Sequence, residues 1–311
     1  MPMSNANTPE FQQSPIFQFK SPVVPVKQRL LPVLQGLKLQ HELERAIGRI
    51  GSLEIRLARS STDILRAQRL RYAVFYEEMA AKPTLANRLL RRDADAYDAY
   101  CDHLLVFDHA ARSGHLKRPK LVGTYRLLRQ EIASLYNGFY TASEFDIAPL
   151  LARHPGTRFL ELGRSCVAPA YRDKRTVELL WHGIWTYVRH HKIDAMFGCA
   201  SFPGTDPEAL AVPLSFLHHN ALAPDEWQVK ARSERLIPMD SLALTSIDQR
   251  AAIASLPPLI KGYLRVGARF GEGAVIDHQF STTDVLVILP VALIPSRYIE
   301  HFGPEAERFA A

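Results

Sequence analysis

The stretch from Phe159 to Arg172, FLELGRSCVAPAYR, runs directly into DKRTVELLWHGIWTYVRHH, and these two segments constrain the fold more than any others. An apolar run that carries one acid and one base predicts a strand. The apolar spacing of the second segment predicts a long helix that begins at a basic turn. Main-chain N–H groups and the positive end of such a helix attract a phosphate-bearing ligand. An ordinary strand-to-helix connection with solvated charges is the alternative.

Strands and helices follow one another along the rest of the chain. Apolar residues with a period of two predict strands at 52–60, 102–108, 120–129, 194–202, 274–280 and 284–291. Apolar residues at helical spacing predict further helices at 61–79, with Ser61 or Thr62 as the cap, at 207–219 and at Pro258–Gly267. This order predicts an α/β domain with a mixed sheet.

The two ends of the chain differ in composition from its middle. Residues 1–26 are polar and contain several prolines, which predicts a mobile leader. Leucines at helical spacing from Val26 to Ile50 predict an amphipathic helix with a basic polar face, which either packs on its own domain or lies on an anionic membrane surface. We expect the folded domain to span 51–303, with a C-terminal extension from about residue 231 and a tail at 304–311.

Composition and charge limit the possible partners and compartment. The chain has 311 residues and a formal net charge of +6, which favours an acidic partner such as nucleic acid, anionic lipid or a carrier protein. Nucleic acid is disfavoured because the aromatic residues are scattered and form no known module. The three cysteines lack metal-binding spacing, and neither a secretory signal nor an apolar run of roughly 18 residues is present. We therefore expect a cytoplasmic protein without a metal, whose membrane contact, if any, is peripheral.

Four short motifs occur in a fixed order. They are RYAVF at Arg71–Phe75, DADAYD at Asp93–Asp98, VGTYRLL at Val122–Leu128 and ELGR at Glu161–Arg164. In order and spacing they closely resemble the acyl-homoserine-lactone synthase branch of the GCN5-related N-acyltransferases, except that Asp93 stands where the synthases more often carry Glu. A second and closer resemblance covers roughly residues 50–303 and is to the ornithine acyl-carrier-protein N-acyltransferases. It is carried by the sequence around ELGRSCVAPAYR and by the tail KGYLRVGARFGEGAVIDHQFSTTDV. The resemblance implies an α/β fold with a mixed, mostly antiparallel sheet flanked by helices.

The resemblance also implies how the acyl donor binds. In the family the phosphopantetheine arm lies along the signature strand, next to main-chain N–H groups that here belong to Cys166, Val167 and Ala168. Users of coenzyme A carry small residues where this chain has Arg175 and Val177, and their loss hinders close wrapping of a pyrophosphate.

Acyl carrier protein presents a single phosphate and an acidic surface. The basic turn of Arg172, Lys174 and Arg175 could meet that surface. The donor substrate would then be acyl-phosphopantetheine on the carrier, with no separate cofactor. A solvated basic turn is the alternative.

Glu161 and Arg164 are the expected catalytic pair. By resemblance, Glu161 is the candidate base that takes a proton from the amine, directly or through water. Residues three apart face opposite sides of a regular strand, so both reach one cleft only if a bulge lies near Gly163. The alternative is a buried structural Glu161 paired with Arg126 or Arg164.

The aspartate-rich loop is the expected acceptor site. Ornithine has two ammonium groups and one carboxylate. Asp93, Asp95 and Asp98 could hold its side-chain cation while Arg71 or Arg126 takes its carboxylate. Phe75 joins this substrate-binding set by resemblance. In the synthases the matching loop serves the amine-bearing substrate or orders arginine side chains, and a solvated acidic turn is a further alternative.

The resemblance therefore predicts transfer of a (3-hydroxy)acyl chain from acyl carrier protein to the α-amine of L-ornithine, which gives lyso-ornithine lipid. Two alternatives remain open at this point. One is an acyl-homoserine-lactone synthase that uses S-adenosylmethionine, which the text of the tail disfavours. The other is a non-catalytic membrane-associated protein that keeps the fold and binds lipid.

Overall fold

A computed structural model describes residues 46–113 and 118–302 of the chain. Most of the helix predicted from Val26 to Ile50 lies outside these residues, and its last turn is wrong. Gly48–Ile50 forms strand β1, which pairs antiparallel with strand β2, Leu53–Leu57. Gly51 adopts φ +59° in the turn between them, a conformation that glycine reaches without strain. This hairpin prevails over the helical spacing because pairing with β2 brings Ile50 against the core.

Among the described residues, nine strands form one sheet in the order β1-β2-β3-β4-β5-β6-β9-β8-β7. The remaining strands are β3 Asp102–Ser113, β4 Arg118–Arg129, β5 Phe159–Val167, β6 Ala195–Pro203, β7 Leu236–Ile237, β8 Arg269–Asp277 and β9 Thr282–Pro290. All neighbouring strands are antiparallel except β5 and β6. The predicted mixed, mostly antiparallel sheet is thereby confirmed. The C-terminal extension belongs to it, since β9 pairs with the whole of β6.

Helices cover both faces of this sheet. They are α1 Ser61–Tyr72, α2 Leu85–Leu90, α3 Gln130–Ala133, α4 Ala148–Arg153, α5 Lys174–His190, α6 Ala211–Ala221, α7 Gln249–Ser255, α8 Pro258–Arg265 and α9 Ser296–Phe302. Helix α1 continues into a π-helical turn, Ala73–Glu78, and its cap is Ser60 rather than Ser61 or Thr62. In the described part of the chain, no helix combines the length and apolar character that crossing a membrane requires.

The two faces of the sheet carry separate apolar cores. On one face α5 packs over the strands, and its Leu179, Trp185 and Tyr187 are fully or almost fully buried. On the other face α1 covers Leu105 and Phe107, and the segment 130–153 covers the neighbouring part of β5 and β6. The motif residues lie on this second face.

The middle of the sheet contains an opening and a bulge. Strands β5 and β6 pair only from Phe159↔Ala195 to Glu161↔Phe197, although both strands continue beyond this register. On the other side of β5, the register with β4 shifts so that Arg164 and Ser165 both lie opposite Tyr125. Arg164 has φ +49°, a left-handed conformation uncommon for a residue with a side chain. The bulge considered near Gly163 is present.

Candidate active site

Three arginines and three aspartates form a closed ring of alternating charges beside the bulge, called the charge ring below. Its distances are Arg71–Asp93 2.7 Å, Asp93–Arg164 3.3 Å, Arg164–Asp95 3.3 Å, Asp95–Arg126 2.7 Å, Arg126–Asp98 3.4 Å and Asp98–Arg71 2.8 Å. Helix α1, the loop after α2, strand β4 and strand β5 each contribute at least one member. The fold thus brings together six predicted site residues from all four sequence motifs. Their formal charges cancel.

Local turn chemistry shapes the acidic side of the charge ring. Asp95 caps a short helical turn, Ala96–Ala99, by accepting the Tyr97 N–H at 2.9 Å, and the Asp98 carboxylate accepts the Asp95 N–H at 3.3 Å. Burial opposes ionisation of Asp98, but the charge and hydrogen bonds of Arg71 outweigh it and lower the Asp98 pKa to about 2. This aspartate therefore stays ionised at neutral pH.

Members of the charge ring differ in access to solvent. The Arg71 side chain is 0% exposed, and Asp93 and Asp98 are buried. The acidic loop is therefore not a solvated turn. Asp95 and Arg164 keep the most accessible side chains, at 26% and 13%. These two are the members best placed to meet a ligand.

Aromatic rings hold Arg164 from two sides. Its guanidinium lies 4.8 Å from the ring centroid of Tyr140 and 4.8 Å from that of Phe280, within the range of a cation–π contact. Phe280 in turn meets Phe75 edge-on at 5.6 Å. Phe75 thus lies beside the charge ring as predicted. Phe280, which sequence analysis did not single out, links the C-terminal extension to the site.

Glu161 is buried under the turn Tyr140–Ser143. Its carboxylate accepts the N–H of Tyr140 at 3.0 Å and that of Thr141 at 2.6 Å. Burial raises the pKa of Glu161, against the hydrogen bonds from Thr141 and Tyr140. The Thr141 side chain also hydrogen-bonds Glu161, and the charge of Arg126 acts on it from nearby. Among the described residues, however, Glu161 forms no ion pair with Arg126 or Arg164 of the kind that the structural alternative expected.

A second group of buried acids, which sequence analysis missed, consists of Glu144, Cys199 and Asp284 and is called the acidic cluster below. Its potential ligand atoms lie within 4.8 Å of one another, close enough to hold a metal ion. The Cys199 thiol donates to the Glu144 carboxylate at 3.4 Å, and Arg235 approaches Glu144 to 3.7 Å. Burial and the neighbouring Asp284 raise the pKa of Glu144, and burial also raises that of Asp284.

The acidic cluster lies where β5 and β6 separate. Phe197 is the last partner of Glu161 in β6, and Cys199, two residues further, points to the same face. The charge ring therefore borders the opening on the β5 side and the acidic cluster borders it on the β6 side. No sequence pattern could reveal the cluster, because its members come from three distant segments.

At the end of β5, some polar groups of the predicted donor-binding residues already form hydrogen bonds within the protein. The Ala168 N–H donates to the Val122 carbonyl at 2.8 Å, and the Val167 carbonyl accepts from Arg172 at 3.1 Å. Cys166 is buried beneath Leu70, and burial raises the pKa of its thiol to about 12. A thiol with so high a pKa is a poor nucleophile at neutral pH.

Each cation of the basic turn lies near a carboxylate, and Lys174 and Arg175 are the most exposed of the three. Arg172 forms a bidentate ion pair with Glu78 at 2.6 and 2.7 Å. Lys174 and Arg175 are largely exposed, and the Asp173 carboxylate caps α5 by accepting the Thr176 N–H at 2.9 Å. The helix terminus thus already holds a carboxylate, while two cations project into solvent.

Comparison with known proteins agrees with this architecture. Residues 70–182 match a family model described as an acetyltransferase (GNAT) domain. An L-ornithine N(alpha)-acyltransferase from Agrobacterium fabrum (strain C58 / ATCC 33970) is 58% identical over 265 residues, 85% of this chain and 90% of the relative. A protein of the same name from Brucella abortus (strain 2308) is 54% identical over 282 residues, 89% of this chain and 100% of the relative.

Among solved structures, an N-acyl amino acid synthase from uncultured soil microbes aligns with a TM-score of 0.43 and 12% identity, over 77% of this chain and 91% of that chain. The two relatives named above share more than half of their residues with this chain over most of its length. The chain is therefore an N-acyltransferase that belongs to the L-ornithine N(alpha)-acyltransferase family.

Proposed function

We propose that this protein transfers a (3-hydroxy)acyl chain from acyl carrier protein to the α-amine of L-ornithine and so makes lyso-ornithine lipid, the first step of ornithine-lipid synthesis. The acceptor is proposed from one observation. The chain is 58% identical to a relative named L-ornithine N(alpha)-acyltransferase and covers 90% of that relative. The donor and the pathway rest on the resemblance of the motifs and on the charge of the basic turn.

The reaction needs a neutral amine, a held thioester and a proton acceptor. The amine nitrogen attacks the thioester carbonyl, a C–N bond forms, the C–S bond breaks, and the carrier leaves as a free thiol. The opening after Glu161↔Phe197 offers a groove for the phosphopantetheine arm along β5. Glu161 lies at the base of this opening, where a carboxylate with a raised pKa can take the proton of the ammonium.

The solvent exposure of the charge-ring side chains indicates which of them can contact ornithine. We assign the carboxylate of ornithine to Arg164, whose side chain is 13% exposed, and not to Arg126 or Arg71, whose side chains are 4% and 0% exposed. Asp95 is the aspartate of the charge ring with an accessible carboxylate, and we assign it the side-chain ammonium. The other members then act by holding these two side chains in place.

For the donor, we propose that Lys174 and Arg175 meet the acidic surface of acyl carrier protein. Both side chains are largely exposed and form only long ion pairs, Lys174–Glu178 at 3.7 Å and Arg175–Asp173 at 3.6 Å, whereas Arg172 pairs with Glu78 at 2.6 Å. We also place the protein in the cytoplasm with peripheral membrane contact. The helix expected at Val26–Ile50 to make that contact lies largely outside the described residues.

The first experiment measures thiol release from purified protein with 3-hydroxyacyl carrier protein and L-ornithine. We expect turnover with this pair, and much slower turnover when the same acyl group is on coenzyme A. Turnover with S-adenosylmethionine and none with ornithine would overturn the acceptor in favour of an acyl-homoserine-lactone synthase. No acyl transfer to either acceptor would favour the non-catalytic alternative.

A second experiment compares the two candidate bases. Glu161→Gln should lower kcat about 100-fold or more, as expected for loss of a general base, while the fold survives. Glu144→Gln should lower it far less. The reverse order of effects would move the proton acceptor to the acidic cluster.

A third experiment addresses the carrier. Lys174→Gln with Arg175→Gln should raise the apparent KM for acyl carrier protein in a salt-sensitive way, because screening weakens exposed charges. Lys230→Gln with Arg158→Gln removes two exposed cations elsewhere and serves as the control. Equal KM values for the two double variants at low salt would remove the basic turn from the docking surface.

A further inference from the structure

Helix α2 has its polar and apolar sides reversed. Leu85 and Leu89, one turn apart, are 64% and 74% exposed, whereas Asn87 between them is only 7% exposed. Leu90 follows at 55% and Met79, just before the helix, at 45%. A surface helix ordinarily turns its leucines toward the core and its asparagine toward water. These four apolar side chains therefore need a partner that the described fold does not supply.

A polar anchor sets this orientation. The Asn87 side chain is buried and interacts with the Tyr76 hydroxyl, which donates to Asp93 of the charge ring at 3.0 Å. The helix begins at a Thr84 cap, which accepts the Asn87 N–H at 3.1 Å. Since Asn87 is tied to the buried network, Leu85 and Leu89 are held outward by a specific contact.

The charged residues within the segment that carries these leucines are all basic. The segment 79–92, MAAKPTLANRLLRR, contains Lys82, Arg88, Arg91 and Arg92 and no acidic residue. Lys82, Arg88 and Arg91 are exposed, and Arg91 reaches Glu77 outside the segment. A short apolar surface with a cationic rim complements an anionic lipid surface, whose head groups attract lysine and arginine while its interior accepts leucine.

We propose that Met79–Arg92 is a membrane-docking surface that seats Leu85, Leu89, Leu90 and Met79 among the head groups of an anionic bilayer. This partner fits better than a second face for acyl carrier protein. Carrier recognition depends mainly on charge, and the proposed carrier surface at the start of α5 exposes only Val177 as a large apolar side chain. The surface at Met79–Arg92 exposes four of them.

The position of the surface gives docking a role in the reaction. Its first residue follows the π-helical turn that carries Tyr76, and its last residue precedes Asp93 of the charge ring. A bilayer held there lies beside the site. Under the proposed function, from which this role follows, the long-chain product forms next to the phase into which it partitions. The docking itself does not depend on which acyl donor or acceptor is used.

Vesicle sedimentation tests this proposal with the full-length protein. We expect wild-type protein to bind vesicles containing phosphatidylglycerol more tightly than vesicles of phosphatidylcholine alone. Leu85→Ser with Leu89→Ser should weaken binding to the anionic vesicles about tenfold or more, because the apolar part of the interaction is lost. Lys82→Gln with Arg88→Gln should weaken the preference for anionic lipid and its salt dependence.

A matched control lies on the α5 side of the sheet. Leu244→Ser with Ile253→Ser removes two side chains that are 47% and 48% exposed, and it should leave vesicle binding unchanged. All variants should melt like wild type, since the altered side chains are exposed. Turnover of a short-chain donor in the absence of lipid should also persist in the Leu85 and Leu89 variant, so loss of docking is separable from loss of the proposed function.

Three results would overturn the proposal. The first is vesicle binding that is absent in wild type or equal in wild type and the Leu85 and Leu89 variant. The second is an increase in KM for acyl carrier protein in that variant with vesicle binding intact, which would assign the surface to the carrier. The third is loss of concentration-dependent self-association with vesicle binding intact, which would assign it to a second copy of the chain.

Discussion

The charge ring and the acidic cluster border the same opening, yet their carboxylates behave in opposite ways. In the charge ring each aspartate meets a guanidinium within 3.4 Å, and the pKa of Asp98 falls to about 2. In the acidic cluster Glu144 and Asp284 face each other, with Arg235 at 3.7 Å from Glu144, and the pKa of both acids rises. Burial is similar in the two places, so the partner decides which form of the carboxylate is stable.

This contrast separates two tasks within one site. The charge ring holds Arg164 and Arg126 in place, and its Asp98 has a lowered pKa that favours the ionised form. The carboxyl groups of Glu144, Asp284 and Glu161, whose pKa values are raised, can exchange a proton closer to neutrality. We therefore expect substitutions in the charge ring to lower stability and removal of the Glu144 carboxylate from the acidic cluster to raise it above neutral pH.

The largest effect is expected from Arg71→Met. This change leaves Asp93 and Asp98 buried without their closest cation, which should lower the free energy of unfolding by about 3–5 kcal/mol at neutral pH. Urea denaturation measures it. Arg158→Met breaks the exposed pair with Asp194 at 3.1 Å and should change the free energy of unfolding far less, because solvent screens this pair. Equal losses for the two variants would show that the charge ring contributes no more than a surface pair.

An intermediate effect is expected from Asp98→Asn in acid. The Asp98 pKa is lowered on folding, so its stabilising contribution is present above the ordinary carboxyl range and disappears as the pH falls toward 2. At about 1.4 kcal/mol per pKa unit this contribution is about 2 kcal/mol. Wild type should therefore lose stability more steeply than the variant between pH 4 and pH 2 in urea titrations. Parallel curves would contradict the assignment.

The smallest effect, of opposite sign, is expected from Glu144→Gln. The Glu144 pKa is raised on folding, so the unfolded chain releases this proton at a lower pH than the folded protein does. Wild type should then lose stability as the pH rises from the ordinary carboxyl range toward neutrality, whereas the variant should not. At pH 8 we expect the variant to be the more stable protein, because the folded wild type then carries a buried charge that the amide lacks. The exposed control Glu226→Gln should show the same pH dependence of stability as wild type. If Glu144→Gln also showed it, the raised pKa of Glu144 would be contradicted.

Much of the fold follows from local patterns. The apolar alternation of Leu53–Leu57 and the helical spacing of Lys174–His190 identify strands and helices because each element buries one side of itself. The motif blocks also identify every member of the charge ring. Local patterns fail where strand pairing or a buried polar contact competes, as at Gly48–Ile50, where pairing with the adjacent strand β2 prevails over helical spacing. Helix α2 exposes its leucines because Asn87 is the residue buried beside Tyr76.

The sequence by itself determined the order of strands and helices, the residue types of the site and the resemblance to an acyltransferase. Only the tertiary structure decided that three arginines and three aspartates close into one ring, that Arg164 at the bulge meets Asp93 and Asp95, and that Glu144 meets Asp284. Sequence spacing specifies which face of an element a side chain occupies, whereas the neighbour it meets across the sheet, and therefore its charge state, depends on how distant strands come together.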